Sequence, residues 1–228
     1  MPQADTVLVT GGASGLGRAV ATAVREAGWR PLVLDRQPAG DGFEHELVDL
    51  ADSSRAEAAV RSVAERSGGL FGVVTAAGMD ACGPLEGVSR EAWERVVAVN
   101  LLGTVAVVRA ALPYLLAEGG RVVTVASTLG LRALPDATAY CASKFAVVGF
   151  TRALTLELAG RVGVTLLIPG GMRTAFFDER DEQYRPGPDA QLNSPDHVAA
   201  AVVFALRQPA GCELRELIIT PSREPSWP

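Results

Sequence analysis

The chain has 228 residues, 48% of them hydrophobic, a formal charge of −5 and a sequence pI of 5.2. That length fits one α/β domain with a large core, and the acidic balance leaves no basic surface to neutralise nucleic-acid phosphates. Cys82, Cys141 and Cys212 are odd in number and form no C-x-x-C pair, which fits buried thiols and no metal site.

The first element in chain order is a short β-like run, Thr6-Val7-Leu8-Val9-Thr10, entered without a basic leader segment. Uninterrupted apolar runs stay short of the roughly 18 residues of a membrane-spanning helix, so the expectation is a cytoplasmic protein with no membrane association. Directly after the run comes Thr10-Gly11-Gly12-Ala13-Ser14-Gly15-Leu16-Gly17, and a helical segment near 15–28 follows. Glycines at a strand–helix junction allow a tight turn and close backbone approach, and the helix N-terminus offers free N–H groups to a pyrophosphate. The second run, Leu32-Val33-Leu34, ends in Asp35. Its carboxylate can accept hydrogen bonds from adenosine ribose hydroxyls and would repel a 2′-phosphate. Arg36 could pair with such a phosphate, but the neutral Ser14 supplies no second positive charge, so NAD is favoured over NADP.

Further strand-like runs follow at His45–Leu50, Gly72–Val74, Val122–Val125, Val164–Ile168 and Leu217–Ile219, with helical spacing near 53–67, 89–117, 138–160 and 195–207. Strands that alternate with helices, and are continuously apolar, predict a parallel sheet covered on both faces. The expected architecture is a Rossmann-like, doubly wound α/β sheet of about seven strands, forming a single dinucleotide-binding domain over 1–228. The helices near 89–117 and 138–160 are apolar nearly all round, which predicts burial on more than one side and a homodimer or homotetramer built on them. The stretch Ala175–Asn193, with Phe176, Phe177 and Tyr184, reads as a substrate lid, and its run Asp178–Glu182 as a solvated lid surface. The other pocket walls, Ala81–Pro84 and Leu129–Leu134, read as mainly apolar.

Twenty of the 21 cationic side chains are arginine, and the one lysine is Lys144, four residues after Tyr140. On a helix those positions share a face at about 6 Å, which brings an ammonium beside a phenol. A fixed positive charge favours the phenolate, so Tyr140 can act as base toward an alcohol and acid toward a ketone. Arginine would supply charge but not a compact ammonium able to reach ribose hydroxyls as well. Ser127, ending the fifth strand, can hold the substrate oxygen beside Tyr140, and Asn100 can interrupt its helix and bind a water that passes protons to Lys144.

These ordered motifs, TGGASGLG at 10–17, Asp35, Asp49, Thr75-Ala76-Ala77-Gly78, Asn100, Ser127, Tyr140-x-x-x-Lys144 and Pro169–Thr174, resemble the short-chain dehydrogenase/reductase family over essentially the whole chain. The resemblance implies a catalytic tetrad of Asn100, Ser127, Tyr140 and Lys144. It implies cofactor contacts from Gly11, Ser14, Gly15, Leu16 and Gly17 at the pyrophosphate, Asp35 and Arg36 at the ribose, and Asp49 and Leu50 at the adenine. Ala77 and Gly78 would line the adenosine side, and Lys144 would bond the nicotinamide ribose. Pro169, Gly170, Met172 and Thr174 would meet the carboxamide, although relatives commonly carry a β-branched residue where Gly171 and Met172 stand. The ending Arg215–Thr220 replaces the family's frequent glycine-ended final strand. The function expected is hydride transfer between NAD(H) and a secondary alcohol or ketone of small to medium, mostly apolar substrates. The alternatives are an NADP(H)-dependent carbonyl or 3-oxoacyl reductase, and a non-catalytic dinucleotide-sensing protein.

Overall fold

The computed structural model describes residues 5–40 and 42–224. The single-domain expectation was drawn for 1–228, so its parts at 1–4, 41 and 225–228 lie outside the described residues. Seven parallel strands form one sheet in the order β3-β2-β1-β4-β5-β6-β7: β1 Thr6–Thr10, β2 Arg30–Asp35, β3 Glu44–Leu47, β4 Gly72–Thr75, β5 Arg121–Val125, β6 Gly163–Pro169 and β7 Glu216–Ile219. The expected doubly wound fold is therefore present. β1, β4 and β6 are buried along their whole length. Alternate side chains serve opposite faces: Val7 and Val9 join one core cluster, and Leu8 joins the other.

Helices α1 (Gly15–Glu26) and α6 (Pro195–Leu206) cover the Val7 and Val9 face. On the Leu8 face lie α2 (Ser53–Ser67), α4 (Thr104–Glu118) and α5 (Thr138–Glu157). The expected helix near 89–117 is divided: α3 (Arg90–Val97) passes into a π-helical segment, Ala98–Gly103, before α4 begins. Arg90–Glu118 is long and apolar enough to cross a membrane by length and composition, yet half of its apolar window is buried inside the fold.

Two local expectations are corrected. The third strand occupies Glu44–Leu47, not His45–Leu50; as an edge strand it pairs with β2 alone and is largely exposed, so it lacks the continuous apolar run of a central strand. Of the cysteines only Cys141 is buried; Cys82 is partly so and Cys212 is exposed.

The strand order reverses between β1 and β4, where a ligand crevice opens at the carboxyl ends of the strands. Its edges are tied together by hydrogen bonds of the main chain to carbonyl and hydroxyl oxygens. Gly11 N–H donates to the Leu34 carbonyl at 2.9 Å, and Ala77 N–H donates to Thr10 Oγ1 at 3.1 Å. Gly11 has a φ of 70°, and a Cβ there would stand 2.7 Å from the Ala77 Cα. At Gly17 a Cβ would overlap the carbonyl oxygen of Gly11, so the turn and the first helical turn touch through backbone alone. A Gly17→Ala variant should lose roughly 1–3 kcal/mol of stability in urea unfolding, because the neighbour it meets is main chain and cannot rotate away. An unchanged unfolding midpoint would show that the loop has room to move.

Candidate active site

All of the expected site residues lie along the carboxyl edge of the sheet, on the strands, loops and helix ends that flank it. Ser14 precedes α1 and its side chain makes no capping bond, which leaves first-turn N–H groups free for a pyrophosphate. Leu16 is buried in the core beneath the loop and anchors the turn. Asp35 ends β2, and its two carboxylate oxygens accept from Ala13 N–H and Gln37 N–H, each at 3.0 Å. The carboxylate is thereby locked to the glycine turn, with further lone pairs available. Arg36 is exposed, and its positive charge acts on Asp49.

Asp49 accepts from Ala51 N–H at 3.0 Å and from Arg95 at 2.7 Å, and the Arg95 bond is the main reason its carboxyl is held below the usual range. Arg95, on α3, was missed in the sequence; it faces Asp49 across 46 positions and belongs to no motif. Leu50 is buried where Gly103 closes on it, a Cβ at Gly103 falling 2.8 Å from the Leu50 carbonyl oxygen.

The tetrad is assembled from three elements: the end of β5, the π-helical segment and α5. Ser127 follows β5, accepts from Leu129 N–H at 3.1 Å, and is hydrogen-bonded to Tyr140. Tyr140 and Lys144 project from the first turns of α5, and Lys144 Nζ lies 5.6 Å from the Tyr140 ring centre. Lys144 is 4% exposed, and its ammonium donates to the Val125 carbonyl at 2.9 Å. A Cβ at Gly78 would stand 3.5 Å from Asn100 Oδ1 and 3.6 Å from Lys144 Nζ, which places the Ala77-Gly78 loop against both.

Asn100 does interrupt its helix, at the centre of the π-helical segment. Its amide clasps Met79: Oδ1 accepts from Met79 N–H at 2.8 Å, and Nδ2 donates to the Met79 carbonyl at 2.9 Å and to Ser143 Oγ at 3.0 Å. The side chain thus ties the β4 loop to α5 and fixes the helix that carries Tyr140.

The acidity of the phenol departs from expectation. Burial pushes Tyr140 up to about 12, the Ser127 hydrogen bond opposes this, and the negative charge of Asp80 adds to it. Burial also pulls Lys144 down to about 8 against the opposing pull of Asp80. Desolvation therefore outweighs the stabilisation of the phenolate expected from the lysine.

Beyond β6, Gly170 N–H donates to the Ile219 carbonyl and Gly171 N–H to a carboxylate oxygen of Glu224, each at 2.9 Å. Glu224 is a second residue the sequence did not disclose. Met172 forms an isolated bridge to Asn193, and Thr174 lies over Gly15, 3.5 Å from where its Cβ would be. Thr174 also caps the turn Ala175–Phe177, which sets Phe176 against Tyr140 with ring centres 5.8 Å apart.

Two pocket expectations are overturned here. The wall near Tyr140 is not apolar throughout, because Arg180 Nη2 pairs with Asp80 Oδ2 at 2.8 Å. Nor is Asp178–Glu182 wholly a solvated surface, since Arg180 within it is mostly buried and stacks 5.0 Å and 4.6 Å from the Phe176 and Phe177 ring centres.

A family model described as short chain dehydrogenase matches residues 5–185. The D-threitol dehydrogenase of Mycolicibacterium smegmatis is 35% identical over 217 residues, covering 86% of this chain and 84% of that protein. The glycine betaine reductase of Emericella nidulans is 32% identical over 96% of this chain, which spans only 19% of that protein. Among solved structures, the ligand-free aldohexose dehydrogenase of Thermoplasma acidophilum superposes with a TM-score of 0.86, covering 96% of this chain and 93% of that one; at 24% identity the likeness is one of fold. An alcohol dehydrogenase of Thermococcus sibiricus, complexed with 5-hydroxy-NADP, gives 0.82 at 26% identity, covering 94% and 95%.

The enclosure of Lys144 generates a test. Lys144→Arg should lower turnover on the order of 100-fold and weaken dinucleotide binding, since a planar fork cannot occupy a slot shaped for one ammonium. Retention of both properties would show that charge alone is required.

Proposed function

The chain belongs to the short-chain dehydrogenase family, and on that footing we propose that it is an NAD(H)-dependent oxidoreductase interconverting a secondary alcohol and a ketone, with Tyr140 as general acid and base. The observation that carries this reading is the Tyr140 hydroxyl bonded to Ser127, with the Lys144 ammonium one helical turn away against the Ala77-Gly78 loop. Gly11 and Gly17 let the turn close on main chain alone, and the first-turn N–H groups of α1 carry no side-chain cap from Ser14, so the residues present fit a dinucleotide. Bound there, the nicotinamide supplies the hydride acceptor or donor and, when oxidised, a positive charge.

Ser127 holds the substrate oxygen, and Tyr140 takes the proton from an alcohol or returns it to a carbonyl. Lys144 orients the ribose through its N–H donors and contributes its charge to the phenolate. The same reading extends to a homodimer or homotetramer: Leu116 on α4 and Phe145 and Leu156 on α5 expose apolar side chains that a second copy would cover.

Tyr140→Phe should reduce turnover by roughly 100- to 10,000-fold and leave NADH binding nearly intact. In the unmodified protein alcohol oxidation needs the phenolate and should rise with pH. Its midpoint should lie below about 12, the value to which burial is the largest contributor, because cofactor and lysine charges both favour the anion. Carbonyl reduction needs the phenol and should fall through the same midpoint. Profiles of kcat/KM in both directions check this, and oxidation that declines from neutral to alkaline pH would remove Tyr140 as the base.

Cofactor choice rests on Asp35. A carboxylate facing the ribose would repel a 2′-phosphate by on the order of a few kcal/mol, so NADH should bind roughly 10- to 1000-fold more tightly than NADPH. Asp35→Ser should shrink that preference or invert it. Fluorescence titration of both reduced cofactors decides the matter, and tighter NADPH binding to the unmodified protein would show that Arg36 outweighs Asp35.

A further inference from the structure

Close to Tyr140 stands a buried ion pair that the reaction described above does not use. Asp80 follows Gly78 by two residues, Arg180 lies 100 positions later, and their paired side chains are 6% and 18% exposed. Both charges act on the Tyr140 hydroxyl, and Phe176 touches the Tyr140 ring on one side and the Arg180 guanidinium on the other. The pair therefore borders the space where a substrate oxygen meets Tyr140.

The pair is only partly satisfied. Arg180 gives Nη2 to Asp80 and Nη1 to the Tyr184 carbonyl at 3.3 Å, while its Nε–H is buried with no partner among the described residues. Asp80 Oδ1 accepts from Ala81 N–H at 2.7 Å, and Oδ2 accepts from Arg180 and from the Cys82 thiol at 3.3 Å. A carboxylate has about four acceptor positions, so one remains. A buried unused donor beside a carboxylate with spare capacity is costly until a group able to both accept and donate fills it.

That requirement sorts ligand chemistries. A substrate carboxylate would meet Asp80 repulsively, an ammonium would meet Arg180 repulsively, and an alkyl chain would leave both polar atoms unpaired. A hydroxyl accepts from Arg180 Nε and donates to Asp80. We propose that Asp80 and Arg180 form a hydroxyl-recognition site beside Tyr140, and that the substrates are vicinal diols, with α-hydroxy ketones in the reverse direction. This rests on the oxidoreductase reading above and replaces the mostly apolar substrate expected from the sequence. Sites built to bond a hydroxyl discriminate strongly against analogues that lack it.

The test compares 2,3-butanediol with 2-butanol in the oxidative direction. In the unmodified protein the diol's kcat/KM should exceed that of the mono-alcohol by roughly tenfold or more. In Arg180→Met, whose apolar stem can still rest on Phe176 and Phe177, that ratio should fall at least about tenfold. The double variant Asp80→Asn with Arg180→Met removes both charges together and should lose the ratio equally, which guards against an unfolded single variant. A ratio near one in the unmodified protein, or a ratio undiminished in the folded variants, overturns the proposal and leaves the oxidoreductase reading standing. A second readout is the affinity of 2,3-butanediol for the protein–NADH complex, followed by nucleotide fluorescence. Binding that depends on Arg180, with no turnover of either alcohol by either cofactor, would support the hydroxyl site and remove the catalytic reading. Binding indifferent to Arg180 would remove the hydroxyl site.

Discussion

A single buried ammonium organises the functional edge of this protein. Lys144 is almost fully enclosed, and a charge withdrawn from water in this way is tolerated only where fixed polar groups replace the lost hydration. One of its donors meets the Val125 carbonyl at the end of β5, and its flank lies against Gly78 of the β4 loop. Tyr140 stands one turn away on α5. Three elements are thus held in register by one side chain, and burial lowers its pKa to about 8. In a chain that otherwise uses only arginine for cationic side chains, the slot selects the smaller cation.

The same burial acts on the phenol in the opposite sense. A low-dielectric environment disfavours the charged form of every group, so it makes the lysine a weaker base and the tyrosine a weaker acid. Spacing in the sequence reveals the attraction between the two but carries no measure of desolvation. On the proposed reading, proximity of Lys144 is insufficient by itself to activate Tyr140, and the oxidised nicotinamide ring would supply the further positive charge.

What the sequence disclosed and what it withheld divide along chain separation. The glycine turn, Asp35 at the end of β2, and the Tyr140–Lys144 step are local patterns whose residues sit within a turn or a strand of one another, and each lies where it was expected. The interruption at Asn100 was expected from the asparagine itself, although nothing in apolar spacing marks a π-helical segment. The missed contacts are distant pairs: Asp49 with Arg95, Asp80 with Arg180, and Gly171 with Glu224, separated by 46, 100 and 53 positions. Charge patterning along the chain treats each member as a solvated surface group, because only the closed fold brings them together. The edge strand β3 was misplaced for a related reason: half-exposed and paired on one side, it leaves little periodic trace.

The last of those pairs shows what stands against the backbone at Gly170 and Gly171. A Cβ at Gly171 would stand 2.8 Å from Leu192 Cδ2, and one at Gly170 would overlap the Glu224 carboxylate. A side chain at Gly171 would therefore have to displace the end of Leu192, and one at Gly170 the Glu224 carboxylate. Two successive glycines admit the Glu224 carboxylate close enough to accept the Gly171 N–H, and Gly170 is simultaneously bonded to Ile219 at the end of β7. The backbone expected to face the nicotinamide is thus braced from behind by the carboxyl-terminal part of the chain. Hydrogen bonds to Ile219 at the end of β7 and to Glu224 beyond it, 53 positions from Gly171, hold this stretch of main chain in place without any side chain of its own.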